Sequence, residues 1–446
     1  MRIAWFTPFK TQSAIGKYSK FATEALSEYA EIVLFVERQP EMHPTKLPVV
    51  CYTDGQDLSD VLDTFDLIIY NMGDNYEYHK SIYHVMQKHP GMVIAHDICM
   101  HHFFHSYYMD DVEAYENKLI KLYGEKDTKK IIKATKNMIL WVTVDLLKFN
   151  MLRLICENAR GVMVHSRYHA NKLSEVFFGP SVVIPLIEMF EPPQTEQDVK
   201  VHLKKKKVNI LTVGNVNSNK NILSVMDAIS GSKYLRKHVH YTVIGQVNND
   251  YYQKRITTKL RNENLGRNFK LIGYVDDKEL AAYYKGADII CNLRYPAIEG
   301  GSASLQEQLL QGKTVIVADT GVYGEVPDDC VIKINPLQMK ESLKEQLIKL
   351  VKERSLITEI GQNAQAYAKK QYAKEKYTSE LMEFMNELIF LKPLNNVLRK
   401  VENELKTMGL NTEQGEPRLE ITNHISQNIN EMFDVQYIGR TNESIT

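Results

Sequence analysis

The sequence predicts an α/β protein made of two Rossmann-like domains, each a parallel sheet wound with helices. Three observations carry that expectation. Strand-like apolar runs alternate with helical stretches over most of the 446 residues, which is the rhythm of parallel βαβ units. The rhythm breaks at 189–207, where Pro192-Pro193 and the run Lys204-Lys205-Lys206-Lys207 mark an exposed connection. The length also exceeds what one ordinary core serves, and suits two domains plus an extension.

Taken in order, Arg2 to Thr7 reads as the first strand and Pro8 to Ser13 as a loop. Ala14 to Tyr29 shows helical spacing of Ile15, Tyr18, Ala22, Ala25, Leu26 and Tyr29. Strands are expected at Ile32–Val36, Phe65–Tyr70, Met92–Ala95 and Gly161–Val164. A helical insert over 112–158 precedes the last of these. It carries Lys118, Lys121, Lys126, Lys129, Lys130, Lys133 and Lys136, either as a solvated face or as a surface for an anionic membrane or a lipid-diphosphate acceptor. This first domain covers 1–188.

The second domain, 208–373, opens with the strand Val208–Val213. It continues through strands near His240–Gly245, Phe269–Gly273, Asp288–Leu293 and Thr314–Ala318. Helices over Pro336–Glu353 and Ser355–Lys370 close it. A further helix is expected over 374–391, then a tail over 392–446. In that tail Leu394, Leu398, Val401, Leu405 and Met408 are spaced as an apolar heptad seam. The seam suits docking on the same chain or pairing into a homo-oligomer.

Bulk properties exclude several functions. Apolar content of 44% and charged content of 25% are those of a soluble globular enzyme. Lysine plus arginine balance aspartate plus glutamate at 55 each, so no global basic field points to nucleic acid. Cys51, Cys99, Cys156, Cys291 and Cys330 are scattered without metal-ligand spacing; this predicts a reduced, cytoplasmic protein. Met1-Arg2-Ile3-Ala4-Trp5-Phe6 already reads as a strand and not as a signal peptide. No run approaches the roughly 20 apolar residues that span a bilayer, so membrane contact would be peripheral.

The chemistry concentrates between Ala287 and Glu325. A buried strand leads into Glu299-Gly300-Gly301, then a helix with Ser302 and Ser304 in its first turn, Gly312 at its end, a second apolar strand, and Thr320-Gly321. A ligand fits at the carboxyl edge of such strands, and free N–H groups at the helix start suit a phosphate. Glu307, on the second turn, is either a deeper ligand contact or a solvated helix residue. Val213-Gly214-Asn215 leads through a polar turn to Lys220, expected at the start of the next helix, where an ammonium would meet a diphosphate. Leu271-Ile272-Gly273-Tyr274 ends another strand. In the first domain Ile94-Ala95-His96-Asp97 ends a strand facing the same cleft. Gly16 lies in the loop after the first strand, and Asp74 and Asn75 follow the strand ending at Tyr70, as acceptor-side or simple turn residues. His101 and His102 lack a supporting acid or cysteine cluster, so no metal site is expected.

The segment Glu299-Gly300-Gly301 to Glu307, Gly312 and Gly321 resembles the donor-binding signature of retaining GT-B glycosyltransferases, family 4. The likeness extends from Met1 to about Leu391. It implies two domains facing a cleft and transfer of a sugar from a nucleotide-sugar donor to a glycan or lipid-linked acceptor, without a metal or other cofactor. By resemblance, His96 and Glu299 approach the transferred sugar and Glu307 the ribose. Lys220, Gly214, Ser302, Gly300, Gly301 and Gly16 lie along the donor, and the segment at Tyr274 reads the base. Glu299 precedes its glycines, where the family's loop acid usually follows one. The family's arginine is replaced by Asn215, and Arg294 either supplies the missing positive contact or pairs with a nearby acid and only shapes the loop. Two alternatives stay open: a non-catalytic relative that binds glycan or acts as a scaffold, and a sugar-nucleotide epimerase of the same fold.

Overall fold

The computed structural model describes residues 1–38, 41–136, 145–190, 201–247 and 250–407. Among these residues two parallel sheets carry the fold, both within one compact unit, Met1–Met382. The first sheet comprises β1 (Arg2–Phe6), β2 (Glu31–Glu37), β3 (Val49–Tyr52), β4 (Leu67–Met72), β5 (Met92–Ala95), β6 (Gly161–Val164) and β7 (Ser181–Val183). Their spatial order is β3-β2-β1-β4-β5-β6-β7. The second sheet comprises β8 (Val208–Val213), β9 (Val239–Ile244), β10 (Phe269–Gly273), β11 (Ile289–Asn292), β12 (Thr314–Ala318) and β13 (Ile332–Ile334). Its order is β10-β9-β8-β11-β12-β13.

Helices cover both faces of each sheet, so the central strands are apolar throughout. Ile3-Ala4-Trp5-Phe6 and Met92-Val93-Ile94-Ala95 are wholly buried. In each sheet the chain first winds one way and then the other, and the reversal falls between β1 and β4, and between β8 and β11. Ligands of open parallel sheets sit in the crevice beyond the carboxyl ends of such strand pairs. The loops there are Thr7–Ser13 and Gly73–Asn75 in the first domain, and Gly214–Lys220 and Leu293–Ser302 in the second.

Several expected elements differ in detail. β3 is not legible in the sequence because it is a four-residue edge strand with Val49 and Cys51 exposed. The insert is not one helix. Val112–Lys136 is broken at Gly124, whose φ of 75° and ψ of 165° leave the helical region, and Asp145–Lys148 and Arg153–Cys156 are single turns. Leu119 and Ile131 face the core, while most of its lysines are exposed.

The last helix runs from Lys374 to Thr407 through Pro393, where the sequence predicts an end near 391. A proline removes one helical N–H without stopping the chain when flanking turns hold. The start of this helix meets the first domain, where Tyr377 and Tyr18 share a buried hydroxyl–hydroxyl bond and Lys374 pairs with Glu28 at 3.2 Å. Among the described residues, 383–407 belong to a separate unit. The heptad seam of Leu394, Leu398, Val401, Leu405 and Met408 lies outside the residues whose side chains are described.

Candidate active site

The two domains meet where β5 ends and the glycine loop begins. Gly300 N–H donates to His96 O at 3.0 Å, and Ile98 N–H donates to Ile298 O at 3.1 Å. Asp97 and Glu299 are therefore directly opposed in a short antiparallel bridge. Bonds on either side of the opposed pair make it the kind whose side chains lie closest. The bridge explains the glycine. A Cβ on Gly300 would collide with His169 Nδ1 and lie 2.9 Å from His96 O. Gly300→Ala should break the bridge and lower the melting temperature, since overpacking a tight site costs roughly 1–3 kcal/mol. A variant that melts and turns over like the parent would contradict this packing.

Glu299 is held by donors from three directions. Tyr323 Oη donates to its Oε1 at 2.5 Å, Ile298 N–H to its Oε2 at 3.1 Å, and Arg294 Nε lies 3.5 Å from Oε1. Tyr323 also lies 3.1 Å from Ser302 Oγ, which links the acid to the helix start. Arg294 Nη1 donates to Asn219 Oδ1 at 3.0 Å. The arginine expected to replace the missing contact is thus already paired with Asn219 and Glu299, beside Lys220.

Lys220 closes a three-ten turn, Ser218–Lys220, and precedes the helix Ile222–Ser230 instead of opening it. It is only 6% exposed. Its ammonium donates to Val213 O and lies against Gly214, whose φ of 101° and missing Cβ make room for it. Burial first, then the Arg294 charge, push its pKa down to about 7, against the pull of Glu299. Asn215 is exposed beside it.

Ser302 caps the helix Ala303–Leu310, its Oγ accepting from Leu305 N–H at 3.3 Å. Glu307 is partly buried on that helix, and burial raises its carboxyl pKa although Lys17 from the first domain counters the shift. It is therefore not a solvated helix residue. Gln306, from the same helix, accepts from Met189 N–H at 3.1 Å and donates to Leu186 O and Ile187 O at 3.2 and 2.8 Å. Tyr274 stands apart from these contacts, its side chain 81% exposed.

On the first-domain side His96 is 8% exposed and lies against Tyr18, with ring centroids 4.7 Å apart. His96 Nδ1 meets His165 Nε2 at 3.0 Å, and His165 Nδ1 meets Ile184 O at 3.0 Å. A carbonyl only accepts, so His165 carries its proton on Nδ1 and its Nε2 can only accept. Burial keeps both rings neutral. His96 Nε2 lies 3.1 Å from Asn71 Oδ1, whose amide nitrogen is committed to Phe6 O at 2.9 Å. A neutral His96 thus faces two acceptors, His165 Nε2 and Asn71 Oδ1, with one ring proton between them.

Gly16 is buried in the first helix, where a Cβ would meet Lys10 O at 2.8 Å. Asn75 caps the helix Tyr76–Lys88, its side chain accepting from Tyr78 N–H at 3.2 Å. Asp74 meets His102 Nδ1 at 2.5 Å and accepts from Phe103 N–H at 2.9 Å. Its own N–H donates to Asp97 Oδ2 at 2.9 Å. Both Asp74 and Asn75 border a cavity of about 260 Å³ that also touches His96, Asp97, Gly301 and Ala303.

Among the described residues Asp74, Cys99 and His102 form a cluster close enough to hold a metal ion. The chemistry of the set does not fit one. His102 Nδ1 shares its proton with Asp74, so that nitrogen has no lone pair to offer an ion. Sequence reading misses Tyr323, Asp97, His165 and Gln306. Tyr323 lies inside the singled-out segment and Asp97 beside His96, so proximity was the available signal; the pairing of His165 with His96 within the first domain, and of Gln306 with residues 186–189, leaves no local trace.

Solved structures share this architecture. Sucrose-phosphate synthase from Thermosynechococcus elongatus superposes with a TM-score of 0.59 at 14% identity, covering 87% of this chain and 99% of that one. HepE from Anabaena, solved with UDP-glucose, gives 0.55 at 14% identity over 87% and 100%. A glycosyltransferase from Rickettsia africae gives 0.59 at 12% identity over 87% and 98%. No curated protein matches the sequence significantly. Two parallel-sheet domains flanking a cleft are the GT-B fold. Residues 193–367, most of the second domain, match the family model described as glycosyl transferases group 1. The chain has the GT-B fold, and the stretch 193–367 within it is similar to the group 1 glycosyl transferases. Among the described residues, no helix is long and apolar enough to cross a membrane.

Proposed function

We propose that the chain transfers a hexose from a nucleotide sugar to a hydroxyl of a glycan or lipid-linked acceptor, with retention of anomeric configuration. The observation that carries this reading is the bridge at Asp97 and Glu299. It sets the glycine loop over His96, with Lys220, Arg294 and the Ser302 helix start on the donor side and a cavity on the other. The diphosphate would lie against Lys220 and the N–H groups at the Ser302 helix start, and Glu307 would accept from the ribose hydroxyls. His96 Nε2 and Glu299 would border the sugar. In a front-face step the bond from the anomeric carbon to the diphosphate oxygen breaks and the bond to the acceptor oxygen forms on the same face. The acceptor's proton passes to the departing diphosphate. The protein's work is to stabilise that diphosphate and place the hydroxyl.

The fold likeness to HepE, solved with UDP-glucose, makes UDP the first nucleotide to test. The exposed basic insert supports peripheral contact with a cytoplasmic membrane face, where a lipid-linked acceptor would reside.

Titration calorimetry with UDP provides a test independent of the acceptor. Lys220 sits near pH 7 when the site is empty, and a bound diphosphate would raise its pKa. Binding should therefore be tightest below pH 7 and weaken as pH rises through and above 7, with proton uptake that varies the observed heat among buffers. UDP binding without proton uptake at pH 7.5 would remove Lys220 from the diphosphate. Failure of every nucleotide sugar to bind would favour the non-catalytic alternative.

A further inference from the structure

The cavity of about 260 Å³ on the acceptor side has a chemistry that narrows the acceptor. It is smaller than the roughly 300–1,000 Å³ of sites for drug-sized ligands, and suits a single sugar residue. Apolar side chains such as Ile15, Leu186 and Met189 form much of its wall, and Ser13, Tyr78, Gln12, His96, Asp74 and Asp97 supply hydroxyl, amide, imidazole and carboxyl groups at its polar edges. Among the described residues no lysine or arginine lines it. The nearby cations are engaged elsewhere. Lys17 acts on Glu307, and Lys10 lies over the Tyr78 ring at 5.3 Å, bordering a neighbouring cavity with Arg38.

Within the cavity Asp97 is the group best placed to meet a hydroxyl. The bridge opposes it to Glu299, so it lies next to the proposed reacting centre. One of its oxygens accepts from Asp74 N–H. A phosphate or carboxylate entering here would face Asp74 and Asp97, while the cations next to the acids, His102 at Asp74 and Arg294 at Glu299, are already engaged, so the contact is one of like charges. A neutral hydroxyl can donate to a carboxylate or accept from a carboxylic acid, so it is tolerated in either protonation state.

Building on the proposed transfer reaction, we infer that the acceptor residue is an uncharged sugar and that Asp97 binds its attacking hydroxyl. This excludes a phosphate oxygen as the nucleophile and excludes an acidic sugar at the reacting position, while leaving charged groups farther along the acceptor unrestricted.

The experiment uses the full chain and follows UDP release from UDP-glucose with a broad panel of neutral methyl glycosides, each paired with its 6-phosphate and its uronic acid. Neutral members should raise release above the hydrolysis rate, and their anionic partners should fall at least 10-fold short. Asp97→Asn should lower kcat/KM for the best neutral acceptor by 10-fold or more while the Kd for UDP stays within 2-fold. As a check that does not depend on the folding of that buried variant, Gln12→Lys, at the exposed rim, should narrow the gap between neutral and anionic members. An anionic acceptor used as well as its neutral partner, or no stimulation by any neutral saccharide in an enzyme that binds UDP, would overturn the inference. An Asp97→Asn variant with unchanged acceptor kinetics would also overturn it. Absence of UDP-glucose binding and turnover altogether would instead count against the donor reading on which it rests.

Discussion

Lys220→Ala should turn over roughly 100- to 1,000-fold more slowly than the parent, the loss expected when a transition-state charge contact of roughly 3–4 kcal/mol is removed. The side chain is buried on Gly214, so it needs no reorganisation to meet a departing diphosphate. The alanine also leaves Val213 O without its donor, so circular dichroism must first establish that the variant is folded. Arg294→Ala should be comparably slow for a second reason: it removes a partner of both Glu299 and Asn219. Because Asn215 is exposed at the same loop, Asn215→Arg in the Arg294→Ala background should restore part of the rate. Recovery would place Arg294 at the diphosphate, whereas no recovery would confine it to shaping the Glu299 loop. A folded Lys220→Ala enzyme of full activity would refute the assignment of the leaving-group site.

The two glutamates should separate in a kinetic experiment. Glu307→Gln should weaken donor binding with little change in kcat, because a carboxylate that accepts from ribose hydroxyls makes charge-assisted bonds of roughly 1.5–3 kcal/mol. That corresponds to roughly 10- to 150-fold in Kd. Glu299→Gln should instead lower kcat with a near-normal donor Kd, since a group beside the reacting carbon acts more in the transition state than in the ground state. Its surroundings strengthen the expectation. Arg294, Tyr323 and the Ile298 amide all direct positive ends at this one carboxylate, and glutamine cannot use them all. Equal kinetics for the two variants would remove the distinction between sugar and ribose roles.

How much of this was legible in the sequence follows from the range of the interactions. Buried parallel strands such as Gly161–Val164 and Val208–Val213 announce themselves as apolar runs. The donor segment does so through glycines whose absent side chains leave room for Lys220 and for the Asp97–Glu299 bridge. The edge strand Val49–Tyr52 and the break at Gly124 did not, because four half-exposed residues and one glycine barely disturb a local pattern. The partners of His96 were hidden for a different reason. His165 is 69 residues away, and no periodicity reports a contact that only the sheet order creates. Asn75 left two readings open, and it does both things, bordering the cavity and capping a helix.

The central claim, sugar transfer with retention, is tested most directly by NMR of a reaction containing UDP-[13C]glucose with and without the best neutral acceptor. The expected product is a glycoside with the donor's α configuration, formed only when acceptor is present, with UDP released in equal amount. A β-linked product would contradict retention, and conversion of the donor into an epimer without any acceptor would contradict transfer itself.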